Sequence, residues 1–442
     1  MHLAATVDFQ EKLNISVQMN VLGGLKMLTL AQRCQHLEAF VHTSTCYVNW
    51  NRPGREEPVK EQLYPLPFDP EEMCKHILSI HPLHVEKETQ QLLKKYNFPN
   101  TYTFTKNMAE HLLHRLKGKC PVTIVRPSII GCSYMDPVPG WVDALTAAGG
   151  LFLTIGLGIV RELHINPKYV ADIIPVDHVC NVIIKALFKT AVLSKSLGVV
   201  TASEKNAQQK KPLAVVIPVV AKGPSLMPMP RDVLTQSAHH ASPSNTTKPE
   251  SETSAAELVL LPFIFHAGTS ASLNHCTWGV ARDALEAYYN LKRHPKALGK
   301  ADVALFPNFA LYRASFLLRR EIPYQLMRAV AALPRPVGSE EKQRLVERYG
   351  KALARAADMN FQFSPFTSKE WVFDQQNARL LNEHLNERSM AAFDSDPYHI
   401  NWWSFVEIYN YGILKYILKA VDGRGEPIVP SSGATQFLRA SL

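Results

Sequence analysis

The chain has no C-x-x-C pair. Its seven cysteines (Cys34, Cys46, Cys74, Cys120, Cys132, Cys180 and Cys276) are odd in number and scattered, which argues against a disulfide framework or a structural zinc site and for a reducing compartment. It also lacks a lysine and arginine block of the nucleic-acid-binding kind. The 48 Lys and Arg are dispersed, so the net charge of +9 reads as an ordinary solvated surface, though it could attract a phosphate-bearing ligand or an anionic membrane. Long apolar runs are missing too. The longest, Trp141 to Val160, is interrupted by Asp143, Thr146, Thr154 and several glycines and falls short of the roughly 20 unbroken apolar residues of a membrane span. It reads as a substrate-side loop and helix. The opening Met1-His2-Leu3-Ala4-Ala5-Thr6 meets Asp8 and Glu11 at once, unlike a secretory signal. The closing Gln436 to Leu442 is short and polar, and the final Ala440-Ser441-Leu442 lacks the basic middle residue of a peroxisomal tripeptide. An intracellular protein is expected, with peroxisome and endoplasmic reticulum surface both left open.

No G-x-G-x-x-G occurs either. Gly156-Leu157-Gly158 runs straight into Ile159-Val160-Arg161 without a third glycine, so the usual amide cradle for a cofactor pyrophosphate is not found. What is present is Tyr102 and Lys106, in the stretch from Asn100 to Leu112. Spacing i, i+4 puts both on one helix face. A nearby ammonium favours a phenolate, so the sequence predicts that Lys106 lowers the pKa of Tyr102 toward neutrality. A tyrosine so tuned can protonate a carbonyl oxygen as hydride reaches the carbon. Upstream, Phe40-Val41 starts a buried strand that ends in the hydroxyls of Thr43, Ser44 and Thr45. Downstream, Val122 to Ile130 reads as the next buried parallel strand, stopped by Pro127. Alternating helix and buried strand is βαβ grammar, and such sheets bind ligands at their carboxyl edge.

Several further runs agree in order with one family: Ala4 to Phe9, Met19 to Gly23, Tyr64 to Pro67, Val125 to Gly131, Pro139 to Asp143, Ala171 to Asp177, Phe363 to Phe373, and Asp396 to Tyr416. On these and on Phe40 to Asn49 and Asn100 to His111, the chain resembles the fatty acyl-CoA reductases, extended short-chain dehydrogenase/reductases with a C-terminal helical domain of the male-sterility type. The resemblance implies an α/β fold, an incomplete doubly wound Rossmann-type parallel sheet followed by a mostly α-helical domain. Family members open with a strand and a Gly-rich turn, whereas Met1 to Ala4 correspond to the end of the fourth strand, so a truncated chain is expected.

By the same resemblance the activity is NADPH-dependent reduction of a long-chain acyl-CoA to a primary alcohol. Thr45 would bond the substrate carbonyl oxygen, with Ser44 as its rival, and Tyr102 would be the proton donor. Lys106 would tune Tyr102 and hold the nicotinamide ribose, Pro127 and Ser128 would lie beside the nicotinamide carboxamide, and Asn20 would organise the proton relay behind the lysine. Cys46 next to Thr45 raises an acyl-enzyme alternative for a thioester substrate. Other readings are a non-catalytic lipid or partner binder and a sugar-nucleotide epimerase or dehydratase; the C-terminal block argues against the latter. No nucleic acid is expected, and peripheral membrane association is left open.

Along the chain, a helix is expected over 10–35 and another near 84–96, with Tyr64 to Pro70 as a Pro-rich turn. The truncated reductase part runs over 1–193, with an amphipathic helix at 178–190. Residues 194–256, rich in Pro, Ser and Lys, bury too little to offset ordering entropy and read as a disordered insert. A strand at 258–266 and a helix from Thr277 to about Tyr289 return to the reductase pattern within 257–295. The helical domain follows at 296–420, with Arg-rich helices at 312–320 and 341–357, and 421–442 is a tail.

Overall fold

A computed structural model describes residues 1–145, 147–196, 263–291, 294–295, 297–333, 339–383 and 385–421. The expected insert lies outside these except for 194–196, as do the first residues of the strand read at 258–266 and all but the first residue of the tail.

The helix expected over 10–35 is α1 (Leu13–Ser16), a π-helical turn (Val17–Leu22) and α2 (Gly23–Gln32). Strand β1 (Phe40–Thr43) follows. The Pro-rich stretch is not only a turn. Asp69 caps the next helix, accepting from the Glu71 and Glu72 amides, and Pro70 takes its first position, where a missing N–H costs nothing, to open α3 (Pro70–Ser79). Helix α4 (Val85–Tyr96) ends on Asn97 in the left-handed conformation. Helix α5 (Thr101–Leu116) is capped by Asn100, whose side chain accepts from the Thr103 amide. The chain continues through β2 (Val122–Pro127), β3 (Ile129–Ile130), α6 (Ala147–Gly156), β4 (Glu162–Leu163), β5 (Ile173–Ile174) and α7 (Val176–Ser196).

Next among the described elements come β6 (Phe263–Ala267), α8 (Trp278–Leu291) and β7 (Ala304–Leu305). The rest is mostly helical: α9 (Phe309–Phe316), α10 (Ile322–Ala331), α11 (Glu340–Thr367), α12 (Gln376–Arg379), α13 (Glu387–Ala392) and α14 (Trp402–Gly412).

The central sheet is parallel, in the order β1-β2-β6, with Thr43 opposite Val125 and Pro127 opposite Ala267. His2 adds a parallel bridge to His42 on the free side of β1. β2 is buried at every position, as a strand covered on both faces must be. Leu13, Val17, Leu25, Phe104, Met108 and Leu112 pack on one face with Phe40 and Val122. On the other, Val179, Val182, Ile183 and Ala186 of α7 pack against Val41, Val125 and Phe265. The alternation of inward residues along β1 and β2 thus sorts two helical layers around one sheet. A separate core joins α6 and α8 to α14, through Phe152, Tyr289, Phe405 and Tyr409.

Candidate functional site

Because the three strands are parallel, their carboxyl ends meet at one edge and bring hydroxyls together. β1 runs on into Ser44 and Thr45, β2 into Ser128, and β6 into Gly268, Thr269 and Ser270. Thr45 is extended and caps a short 3₁₀ turn, Cys46–Asn49, so the chain turns sharply there and leaves the Thr45 side chain at the edge. Its Oγ1 donates to the Pro127 carbonyl at 3.3 Å.

The first turn of α5 reaches the same edge. Tyr102 is its second residue, and its phenol lies beside the Thr45 side chain. One turn on, the Lys106 ammonium donates to the Thr43 carbonyl at 2.6 Å. Thr45, Tyr102, Lys106, Pro127 and Ser128 are therefore within one neighbourhood. Asn20 sits in the π-helical turn, fully buried, accepting from the Thr6 amide at 2.9 Å and donating to Thr105 Oγ1 at 3.1 Å. It braces α5 from behind the tyrosine and lysine, bonding neither of their side chains.

The electrostatics differ from the sequence expectation. Burial pushes the Tyr102 phenol up to about 12, above its ordinary value, with the neighbouring Thr45 side chain acting the other way. Lys106 does not pull it toward neutrality, because its ammonium is turned to the Thr43 carbonyl. Burial in turn pushes Lys106 down to about 8, opposed by Glu110. Cys46 fails as a nucleophile. It is fully buried, its thiol donates to the Arg126 carbonyl at 2.9 Å, and burial holds its pKa well above normal, whereas the reactive form is the thiolate.

Behind the site lies a buried polar network that the sequence reading left without roles. Arg126, fully buried in β2, donates Nε to Glu110 Oε1 at 2.9 Å and Nη2 to Glu110 Oε2 at 2.6 Å, a two-pronged pair. It also reaches His266 Nε2 at 3.3 Å and the Gln62 carbonyl at 3.0 Å. His266 Nδ1 must carry the proton, because it bonds the Asp374 carbonyl at 2.7 Å. Burial and the arginine charge hold that imidazole down to about 3, hence neutral. Glu61 accepts from the amides of His266, Asn377 and Ala378, and burial pushes its carboxyl up to about 7. The two aspartates of the run Ala171 to Asp177 are backbone clamps. Asp172 accepts from the Thr269 amide at 2.6 Å and the Ser270 amide at 3.2 Å. Asp177 accepts from three successive amides at 134–136.

The end of α11 and the residues after it close one wall of the site. Phe366 packs 5.4 Å from Phe9 and 5.0 Å from Tyr47, and Phe9 lies 5.9 Å from the Tyr102 ring. Glu370 pairs with Arg55 at 3.0 Å, and the Lys369 ammonium donates to the Arg52 carbonyl at 2.6 Å. Val59 pairs with Phe373 in a one-residue parallel bridge. A sequence reader could have suspected this wall from the aromatic density of Phe363 to Phe373. Nothing in the spacing says where it docks.

Two family models, both described as male sterility protein, match residues 1–183 and 323–420, together more than half of the chain. The chain is similar to fatty acyl-CoA reductase 1 of Xenopus laevis, 27% identical over 423 residues, covering 94% of this chain and 65% of that protein. The human fatty acyl-CoA reductase 1 gives the same identity and coverage. Fatty acyl-CoA reductase 2 of Bos taurus is 24% identical over 95% of this chain and 66% of its own length. The chain thus spans about 65% of the length of the first of these relatives. Among solved structures, the terminal R domain from the myxalamid PKS-NRPS biosynthetic pathway aligns with a TM-score of 0.46 at 13% identity, over 97% of this chain and 69% of that chain. Both male sterility models match in order along a single sequence, and the chain is similar to the fatty acyl-CoA reductases over nearly all of its own length.

Proposed function

We propose that this chain carries the reducing centre of an NADPH-dependent reductase that converts a long-chain acyl-CoA, through the aldehyde, into a primary alcohol and free CoA. The observation that carries this reading is that Tyr102 and Thr45 come together, with Lys106 one helical turn away, at the carboxyl edge of a parallel sheet.

The edge suits the nicotinamide end of a dinucleotide. Thr43 Oγ1, Ser44 Oγ and Ser128 Oγ are buried there without hydrogen-bond partners, and buried polar groups are normally satisfied. Ser128 and the Pro127 backbone would face the carboxamide, and Lys106 would turn from the Thr43 carbonyl to the ribose hydroxyls. NADPH, when bound, supplies hydride in each of the two reductions.

The side chains supply the rest. Thr45 presents its hydroxyl to the substrate carbonyl oxygen and fixes its position. Tyr102 stands within reach of the same oxygen and carries the proton that oxygen takes up. A phenol at about 12 is fully protonated at neutral pH, the form a donor needs. Asn20 holds the first turns of α5 in place through Thr6 and Thr105. The aromatic wall of Phe9, Tyr47 and Phe366 limits water and offers the acyl chain an apolar surface.

The test is alcohol formation from palmitoyl-CoA and NADPH, measured by gas chromatography. Tyr102→Phe should lower it by at least about a hundredfold, the usual scale for removing a general acid, while the melting temperature hardly moves. A Phe variant with near-normal turnover would overturn the proton-donor role. A folded wild-type protein that neither oxidises NADPH nor forms alcohol would overturn the reading as a whole.

A further inference from the structure

The carboxylate of Glu61 is buried without a counter-charge. The residue is 9% exposed, and the partners of its carboxylate are backbone amides: His266 at 2.7 Å and Ala378 at 3.2 Å on Oε1, and Asn377 on Oε2. Among the described residues, no lysine or arginine pairs with it. His266, which meets it from β6, has a neutral ring, and Arg126 of β2, beyond that ring, is taken by Glu110. Lys60, its neighbour in sequence, is exposed. Asp374 adds a like charge from the segment that supplies two of the amides. Amide dipoles alone hold a charge that burial disfavours.

That segment, residues 371–378, crosses the carboxyl end of β6 as a strap. The Phe373 amide donates to Ser270 Oγ at 3.0 Å, Gln375 Nε2 to the Gly268 carbonyl at 2.7 Å, and His266 Nδ1 to the Asp374 carbonyl at 2.7 Å. On its other side the Val59 amide donates to the Val372 carbonyl at 2.8 Å, and the Val59 carbonyl accepts from the Asp374 amide at 2.9 Å. Glu61, two residues on from Val59, is the side chain that bonds β6 and the strap at once. The strap also presses on the site. Its Trp371 and Phe373 rings stand edge-on to Tyr47 at 5.7 and 5.4 Å, and the Tyr47 amide donates to Thr45 Oγ1 at 3.4 Å.

These contacts couple the strap to a proton. Under the closed strap, burial pushes the Glu61 carboxyl up to about 7. With the strap lifted, Glu61 loses two of its three amides and meets water, where a carboxyl returns toward its ordinary 4.5. Between these values the closed state binds a proton that the open state gives up, so a rise in pH favours opening.

From this we infer that residues 371–378 are a proton-controlled strap, latched by Glu61, that closes over the wall of the site in mild acid and is released as the carboxyl ionises. The inference stands apart from the proposed reductase chemistry, because opening is read from the backbone and needs no turnover.

The experiment is hydrogen–deuterium exchange of the full chain, followed by mass spectrometry at about pH 5.5 and about pH 8, with rates corrected for the intrinsic pH dependence of amide exchange. Protection of 371–378 should fall at least about tenfold from the lower pH to the higher, while β2 keeps its protection. In Glu61→Gln, which cannot ionise, the strap should show equal protection at both, whatever its level. Asp374→Asn removes the nearby like charge and leaves Glu61 in place, so the fall should persist. Circular dichroism at both pH values checks that each protein is folded. Wild-type protection that does not change with pH overturns the inference, and this arm needs no variant. So does an undiminished fall in Glu61→Gln, or a fall abolished in Asp374→Asn, which would assign the titration to Asp374. An equal loss of protection in β2 would report unfolding of the sheet and overturn it as well.

Discussion

Replacing Arg126 tests how β2 and α5 are held together. The guanidinium and the Glu110 carboxylate are each about 1% exposed and 2.6 Å apart at closest approach. In Arg126→Met, Glu110 stays buried without a counter-charge, which costs about 3–5 kcal/mol. That is a large share of a typical folding stability of about 5–15 kcal/mol. His266 Nε2 and the Gln62 carbonyl lose a donor as well. In the double variant Arg126→Met with Glu110→Leu no buried charge remains, and the loss should shrink to about 1–3 kcal/mol for the orphaned acceptors. The double variant should thus be more stable than Arg126→Met alone. Urea unfolding at pH 7, followed by the fluorescence of the six tryptophans, measures wild type, Arg126→Met, Glu110→Leu and the double variant. If the double variant loses as much as the two single losses added together, the pair is not energetically coupled and the reasoning fails.

Two further outcomes follow from the same coordinates. Lys106 is held down to about 8 in the folded protein against an ordinary 10.5, so between these values the unfolded state binds more protons and stability rises with pH, by at most about 3 kcal/mol. Below pH 8 the burial penalty is present in full. Lys106→Met should flatten that rise in urea titrations at pH 8 and pH 10, and an unchanged slope would place the titration elsewhere. Gly412, in α14, lies against the Gly140 backbone, and a Cβ there would run into the Gly140 carbonyl oxygen, which cannot swing aside as a side-chain tip would. Gly412→Ala should cost at least about 2 kcal/mol, and a variant that melts with wild type would show that the two segments separate freely.

The sequence alone determined what local chemistry and period decide. The i, i+4 spacing put Tyr102 and Lys106 on one face of α5. Unbroken apolar character marked β1 and β2, and the hydroxyls after Thr43 and Pro127 reach one sheet edge because parallel strands end together. Asp69-Pro70 was equally local but was read as a turn, since proline signals both a turn and the first position of a helix.

Only the tertiary structure decided contacts between residues far apart in the chain. Arg126 was legible as part of a familiar run, but nothing around it shows that Glu110, His266 and Gln62 meet at its guanidinium. The wall of Phe366 and Phe9 joins residues 357 positions apart, a distance no spacing rule spans. The state of Tyr102 was misjudged for the same reason. Spacing supplies the neighbouring charge, whereas a pKa also depends on burial and on where the ammonium points, and here burial outweighs the charge because Lys106 is turned to the Thr43 carbonyl.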